Sequence, residues 1–265
     1  GTYGSIAVTS AGVWTYTLDN SLTTTQSLKE GDVQYETFTA RVTDDKGASA
    51  DGSFSITLTG TNDAPTATYT TNLSALEGAS SISGQLTSSD VDASGAPSFF
   101  LSDASGNTQD ASGNSFSIDG LTLNTDGSFS FDPSNSSYNS LKDGQSQSLT
   151  INYVAKDDQG LKSDVQSFNI TVLGTNDGPV ADYSLTTDST IDSTRIDASG
   201  NLTVSENEFG LDASGNPITI TGNLSSSDVD NNATASYSLI GADIPGLTIN
   251  SDGSWSFDPS HPAYN

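Results

Sequence analysis

The chain of 265 residues contains no cysteine and no methionine. Without cysteine, neither disulfides nor a zinc-thiolate site can staple the fold. Without methionine, the sequence does not open at a natural start and reads as an excerpt of something longer. Basic residues are scarce: 7 Lys and Arg stand against 33 Asp and Glu, a formal charge of −26. No basic patch can then neutralise phosphates, which argues against nucleic-acid binding. Apolar runs are short and none approaches the ~20 residues of a membrane span, so no membrane insertion is expected in this segment. Helical patterning is also missing, because Thr, Ser and Gly dominate where an i, i+3, i+4 apolar stripe would be needed. The one histidine, His261, has no nucleophile and carboxylate partner at an informative spacing, so no catalytic triad is built on it.

What is present is a repeat. Gly60-Thr61-Asn62-Asp63-Ala64-Pro65 returns as Gly174-Thr175-Asn176-Asp177-Gly178-Pro179, 114 positions later (177 − 63). That period matches one β-sandwich domain and is too long for a solenoid. Each copy follows a strand-like run of period two, 53–59 before the first and 167–172 before the second, and its proline stops the strand. Three segments follow: 1–62, the C-terminal part of a domain; 63–176, a complete domain; and 177–265, the N-terminal part of a third. Hairpins recur in register. Residues 5–18 turn at Gly12, residues 121–131 match them with Phe129 in the place of Trp14, and residues 247–257 bring Trp255 to the same place. Their alternating setting points to core packing for all three aromatics. Four copies of Asp-Ala-Ser-Gly-Asn, starting at Asp103, Asp110, Asp197 and Asp212, read as plain turns in which Asp caps the backbone and Gly takes the left-handed position. The fold class expected is all-β.

The acidic residues carry the chemistry. Asp90-Val91-Asp92 returns as Asp228-Val229-Asp230, each after a hexapeptide, and Leu76-Glu77-Gly78 has a counterpart in Val204-Ser205-Glu206. Asp-x-Asp on an extended chain sets two carboxylates on one side, with Val expected to turn inward. Recurrence in register with Asn-Asp-x-Pro points to a hard, oxygen-ligated cation, calcium above all.

Together, the upstream Glu, the Asp-x-Asp and the closing Asn-Asp-x-Pro resemble the cadherin domain pattern. Gly-Val-Trp-Thr-Tyr-Thr-Leu-Asp at 12–19, Phe38-Thr39-Ala40-Arg41-Val42-Thr43-Asp44 and the hexapeptide look, more closely, like the VCBS repeat of giant bacterial RTX adhesins. The resemblance covers nearly the whole chain. It implies tandem Ig/cadherin-like Greek-key β-sandwich domains in an extended array, secreted to the bacterial cell surface, with Ca2+ rigidifying the joints between neighbouring repeats. Carried over, it implies a first joint of Asn62, Asp63, Asp90 and Asp92 with Asp157 or Asp158. The second joint would use Glu77, and Asp132 as a further donor, with Asn176, Asp177, Asp228 and Asp230. The hexapeptide is less acidic than a cadherin linker, which implies one or two ions per joint.

The leading functional expectation is a set of extender modules of an adhesin, serving cell adhesion and biofilm, or of an extracellular fibre in which other copies are partners. A glycan- or ligand-binding sandwich is the alternative, and its signature would be exposed aromatics at one loop-rich end. An enzyme is not expected, because the carboxylates recur once per domain boundary instead of pairing in one cleft. Chain ends inside a domain read as truncation, with strand exchange between chains as the other possibility.

Overall fold

In the computed structural model the described residues are 1–92, 95–182 and 219–264. They are almost entirely strand and turn, in two compact units. One comprises 1–138 with 146–173, the other 139–145 with the residues from 174 onward.

The first unit opens with two hairpins. Strands β1 (Gly4–Val8) and β2 (Trp14–Leu18) pair antiparallel, and after a single helical turn, α1 (Thr23–Gln26), β3 (Val33–Thr43) pairs with β4 (Ser49–Thr59). Gly12 closes the first turn at φ +80, a backbone that side chains other than glycine's resist. The hairpins meet through aromatic rings, Trp14 on Phe54 at 5.4 Å and Tyr16 on Phe38 at 6.0 Å.

Nine strands follow: β5 (Thr66–Ala67), β6 (Leu73–Leu76), β7 (Ile82–Gln85), β8 (Ser88–Ser89), β9 (Ser98–Leu101), β10 (Leu121–Leu123), β11 (Ser128–Phe131), β12 (Ser146–Lys156) and β13 (Gln166–Leu173). They form a sandwich of the Ig and cadherin type. One sheet has the order β6-β13-β12-β9, with β6 running parallel to β13; the other has the order β10-β11-β7, and β5 pairs with β8. Period-two alternation sends Ile151, Tyr153, Phe168, Ile170 and Val172 inward from the larger sheet, to meet Phe129 and Phe131 from the smaller. Phe129 and Phe168 stack across the sheets at 5.2 Å, and Tyr69 packs edge-on to both. Tyr153 and Tyr138 are fully buried because each hydroxyl has a partner, the carbonyls of Tyr69 and Asp119.

The second unit contains β14 (Val180–Asp182), β15 (Ile220–Asn223), β16 (Ser225–Ser227), β17 (Leu247–Ile249) and β18 (Ser254–Phe257), then a 3-10 turn at Pro262–Tyr264. Its sheet β15-β18-β17 copies β7-β11-β10 in register: Leu247 and Ile249 face Phe257 and Trp255 as Leu121 and Leu123 face Phe131 and Phe129. The turns match as well. Asp126 and Asp252 each accept the amide and hydroxyl of a serine two residues on, at 2.9 and 2.6 Å.

The Asp-Ala-Ser-Gly-Asn copies at Asp103 and Asp110 are capped turns, with Gly106 and Gly113 at φ +80 and +83; those at Asp197 and Asp212 lie outside the described residues. Core packing, by contrast, describes the aromatic positions unequally. Phe129 is 3% exposed and Trp255 half-buried, but Trp14 is 52% exposed. One face of its indole lies on Phe54, and β2 has no second strand neighbour among the described residues to cover the other.

Candidate metal centre

The hexapeptide leaves β4 through a close backbone approach. A Cβ at Gly60 would lie 2.2 Å from the Lys29 carbonyl oxygen, and one at Gly174 would lie 2.3 Å from that of Leu141. Glycine at these two places is therefore a steric requirement. It lays the following Asn-Asp against whatever the preceding turn and the next Asp-x-Asp present.

In the first unit, the buried carboxylates of Asp92 and Asp157 meet the linker, with the half-buried Asp90 beside them. Asp63 donates its amide to Asp92 Oδ2 at 3.1 Å, and Asn62 donates Nδ2 to Asp157 Oδ2 at 2.7 Å. Asp157 Oδ1 accepts the amides of Gln159, Gly160 and Leu161 at 2.9, 2.5 and 2.8 Å. Burial alone would raise the Asp157 carboxyl, but these donors, Asn62 foremost, hold it below its ordinary value. Asp90 shows the opposite balance. Burial first, then the hydrogen bond shared with Asp92 and the negative charges of Asp92 and Asp157, raise its carboxyl. Asp92 is only 5% exposed, yet its Oδ1, like Asp90 Oδ2, has no hydrogen-bond partner among the described residues.

Buried carboxylate oxygens without donors are costly, and a cation removes that cost. Every side chain here offers oxygen, without sulfur or imidazole, and the carboxylates are crowded enough to repel one another. That donor set suits a hard divalent ion of high coordination number.

The second unit repeats half of this arrangement. Asp177 donates its amide to Asp230 Oδ2 at 3.0 Å, Asp230 donates its amide to Asp228 Oδ1 at 3.0 Å, and Asp230 Oδ1 is again buried without a partner among the described residues. Asn176 differs from Asn62: it is exposed, and its Nδ2 turns onto the Asp177 carbonyl at 2.8 Å.

Asp158 is exposed on the turn beside Asp157, so Asp157 is the member of that pair within the cluster. Glu77 is buried at the end of β6, where its amide donates to the Leu173 carbonyl. Asp132 is a turn cap, its Oδ1 accepting the Ser134 amide and hydroxyl at 3.0 and 2.7 Å. Glu206 lies outside the described residues. One orientation is reversed from expectation: Val91 and Val229 are 53% and 57% exposed, while the flanking carboxylates are turned in. The segment is a bend, with Asp90 Oδ1 accepting the Asp92 amide at 3.4 Å, so strand alternation does not govern it. Here the carboxylates converge on the linker and the valine faces solvent.

Glu30 is a member that sequence reading missed. Its Oε2 accepts the Asn62 amide at 3.1 Å, which brings a further carboxylate from the turn before β3 to the linker. The available signal was the recurrence of Leu28-Lys29-Glu30-Gly31 as Leu141-Lys142-Asp143-Gly144, 32 and 33 residues before each linker Asn.

Strand order and register define the class: a β-sandwich domain of cadherin-like build, with an oxygen-only acidic cluster beside its hexapeptide. No protein-family model and no curated protein matches the chain. Among solved structures it is similar to mouse protocadherin-24 EC1-3, at 15% identity and a TM-score of 0.45 over 98% of this chain and 74% of that one. It is similar to Drosophila N-cadherin EC1-4 at 10% identity and a TM-score of 0.36, over 96% and 55%, and to mouse clustered PcdhgC3 EC1-3 at 13% and 0.34, over 66% and 53%. The chain thus spans about half the length of the latter two. Likenesses this distant speak at most to fold, and the assignment above rests on topology and register.

Proposed function

We propose that the chain is a run of extender repeats, bounded at 1–62, 63–176 and 177–265, from a secreted adhesin or fibre of the VCBS and RTX kind, serving cell adhesion rather than catalysis. Calcium binds at the linkers. In the first, Asn62, Asp63, Asp90, Asp92 and Asp157 supply oxygens; in the second unit, Asn176, Asp177, Asp228 and Asp230 do. Glu77 is a further candidate donor. The ion neutralises carboxylates that otherwise repel, and so fixes a linker that its few hydrogen bonds hold only partly.

The observation that carries this reading is the pair of buried carboxylate oxygens on Asp90 and Asp92 beside the linker that have no hydrogen-bond partner among the described residues, echoed at Asp230. Among the described residues no helix is long and apolar enough to cross a membrane. The test is calcium calorimetry on the full chain, paired with limited proteolysis. Calcium should bind stoichiometrically and slow cleavage within 61–66, and the double variant Asp90→Asn/Asp92→Asn should lose the first of these sites. Heat-silent titration with unchanged cleavage would defeat the proposal.

A further inference from the structure

Seven of the nine phenylalanines and tyrosines in 63–176 pair with another ring. The other two, Phe100 and Phe116, make no ring contact with another described residue. Both are half-buried, and both line one groove of about 380 Å³, a volume within the range of ligand pockets. The groove lies between β9 and β10, the edge strands of the two sheets, with Thr108 and Ser115 to Ser117 of the intervening loop as a third wall.

Neither ring is demanded by the fold, because the third repeat builds the same corner without them. The Tyr237 amide donates to the Ser251 carbonyl at 3.2 Å, as the Phe99 amide donates to that of Thr125 at 3.0 Å. Tyr237 lies against Gly253 as Phe99 lies against Gly127. In this register Phe100 stands where the third repeat has Ser238. Leu121 follows Phe99 by 22 positions (121 − 99), whereas Leu247 follows Tyr237 by 10 (247 − 237). The longer loop brings Phe116, and the shorter one, 240–246, contains no aromatic residue.

The lining restricts what the groove can hold. It contains no ionisable side chain, in a chain with 33 Asp and Glu, so a charged ligand would find no counter-charge there. Leu101, Leu121 and Leu123 join the two rings as apolar surface, while the side-chain hydroxyls of Thr108, Ser115 and Ser117 make no hydrogen bond to another described residue. The facing edges of β9 and β10 add backbone amides and carbonyls that no further strand pairs. The bond from Phe99 to Thr125 joins these edges at one end, which leaves a blind groove too short for a full strand. A purely apolar ligand would desolvate the edge groups without pairing them. A neutral sugar ring suits both kinds of surface: its C–H face meets the negative face of an aromatic ring, and its hydroxyls donate and accept around the rim.

We propose that this groove binds an uncharged saccharide unit, stacked against Phe100 and Phe116 and hydrogen-bonded by Thr108, Ser115, Ser117 and the two strand edges. The site belongs to the segment 63–176, is absent from the third repeat, and uses none of the linker carboxylates.

The test is native affinity electrophoresis of the full chain through gels containing a neutral β-glucan, a galactan or a mannan. The carboxymethylated form of whichever polysaccharide binds is the charged control. At least one neutral polysaccharide should retard the chain, and its carboxymethylated form should not. Phe100→Ser, which installs the residue of the third repeat, and Phe116→Ala should each weaken binding about ten-fold, as the loss of one stacked ring predicts. Phe100→Tyr keeps the ring and should keep the binding. Carbon-13 labelling of phenylalanine reads the same contact without substitution, because the sugar should shift the Phe100 and Phe116 ring signals above all others. Retardation by none of the three polysaccharides, equal retardation by the carboxymethylated form, undiminished binding by the Phe100→Ser/Phe116→Ala double variant, or ring shifts elsewhere only would each overturn the proposal.

Discussion

Asn62 and Asp157 lie 95 residues apart in sequence, and the carboxamide of one donates to the carboxylate of the other at 2.7 Å. This bond joins the linker to the turn after β12, and the Asn62 amide is held from the other side by Glu30. One residue is thus gripped from two directions. Asn62→Ala should destabilise the chelated protein by about 1 kcal/mol, the usual worth of a partly exposed hydrogen bond to a charged group. It should also weaken calcium binding several-fold by removing a ligand oxygen. Urea unfolding in chelator and calorimetry with calcium read the two effects separately, and a loss confined to one of them would limit Asn62 to that role.

Asp92→Asn should change sign with calcium. In chelator the substitution removes a charge from a crowded, buried carboxylate group and should raise the melting temperature. In calcium it removes a ligand charge and should lower it. Melting curves with and without calcium decide the matter. A change of one sign under both conditions would mean that Asp92 acts only as acceptor for the Asp63 amide.

Much of this architecture was readable in advance, and the reasons differ by feature. Strand alternation, the hairpin glycines and the Asp caps are local, so residues such as Ile151, Gly127 and Asp103 declare themselves within a few positions. The Asp-x-Asp and hexapeptide were legible because they recur in register. Orientation was not: Val91 faces solvent because tertiary convergence on the linker overrides the alternation of an extended chain. Long-range partners were also hidden. Glu30 and Glu36 are unremarkable acids in sequence, and only folding brings them to Asn62 and Tyr16.

Gly84→Ala should be more damaging than its size suggests. The added methyl would lie 2.4 Å from the Phe129 ring, which is itself held by Phe168 and Tyr69. Overpacking of this kind costs about 1 to 3 kcal/mol. Gly222→Ala should behave alike against Trp255, whereas Gly52→Ala, with open space around it, should be close to neutral. Urea midpoints of the three variants test the ranking; equal effects would mean that the loss reflects strand backbone and not ring contact.

Tyr16 and Glu36 give the first hairpins a pH dependence at both extremes. The Tyr16 hydroxyl donates to Glu36 Oε2 at 2.6 Å, and the Tyr3 amide donates to Oε1 at 2.9 Å. Burial, then the Glu36 hydrogen bond and charge, push Tyr16 up to about 12 from 10.0. Its contribution is therefore fully present below pH 10.0 and lost between there and about 12, since the unfolded chain releases this proton first. Burial works to raise Glu36 too, but the Tyr16 hydroxyl and the Tyr3 and Thr2 amides outweigh it and hold the carboxyl below 4.5. That contribution is present above pH 4.5 and lost as the pH falls through the lowered value. Tyr16→Phe should remove the Tyr16 part of the alkaline loss, leaving that of the buried Tyr138 and Tyr153, which burial also raises, and should move the acid loss to higher pH, because Glu36 then loses its strongest donor. Urea titrations followed by Trp14 fluorescence in the Trp255→Phe background would show both shifts, and an unaltered acid limb would place the stabilisation of Glu36 in the Thr2 and Tyr3 amides alone.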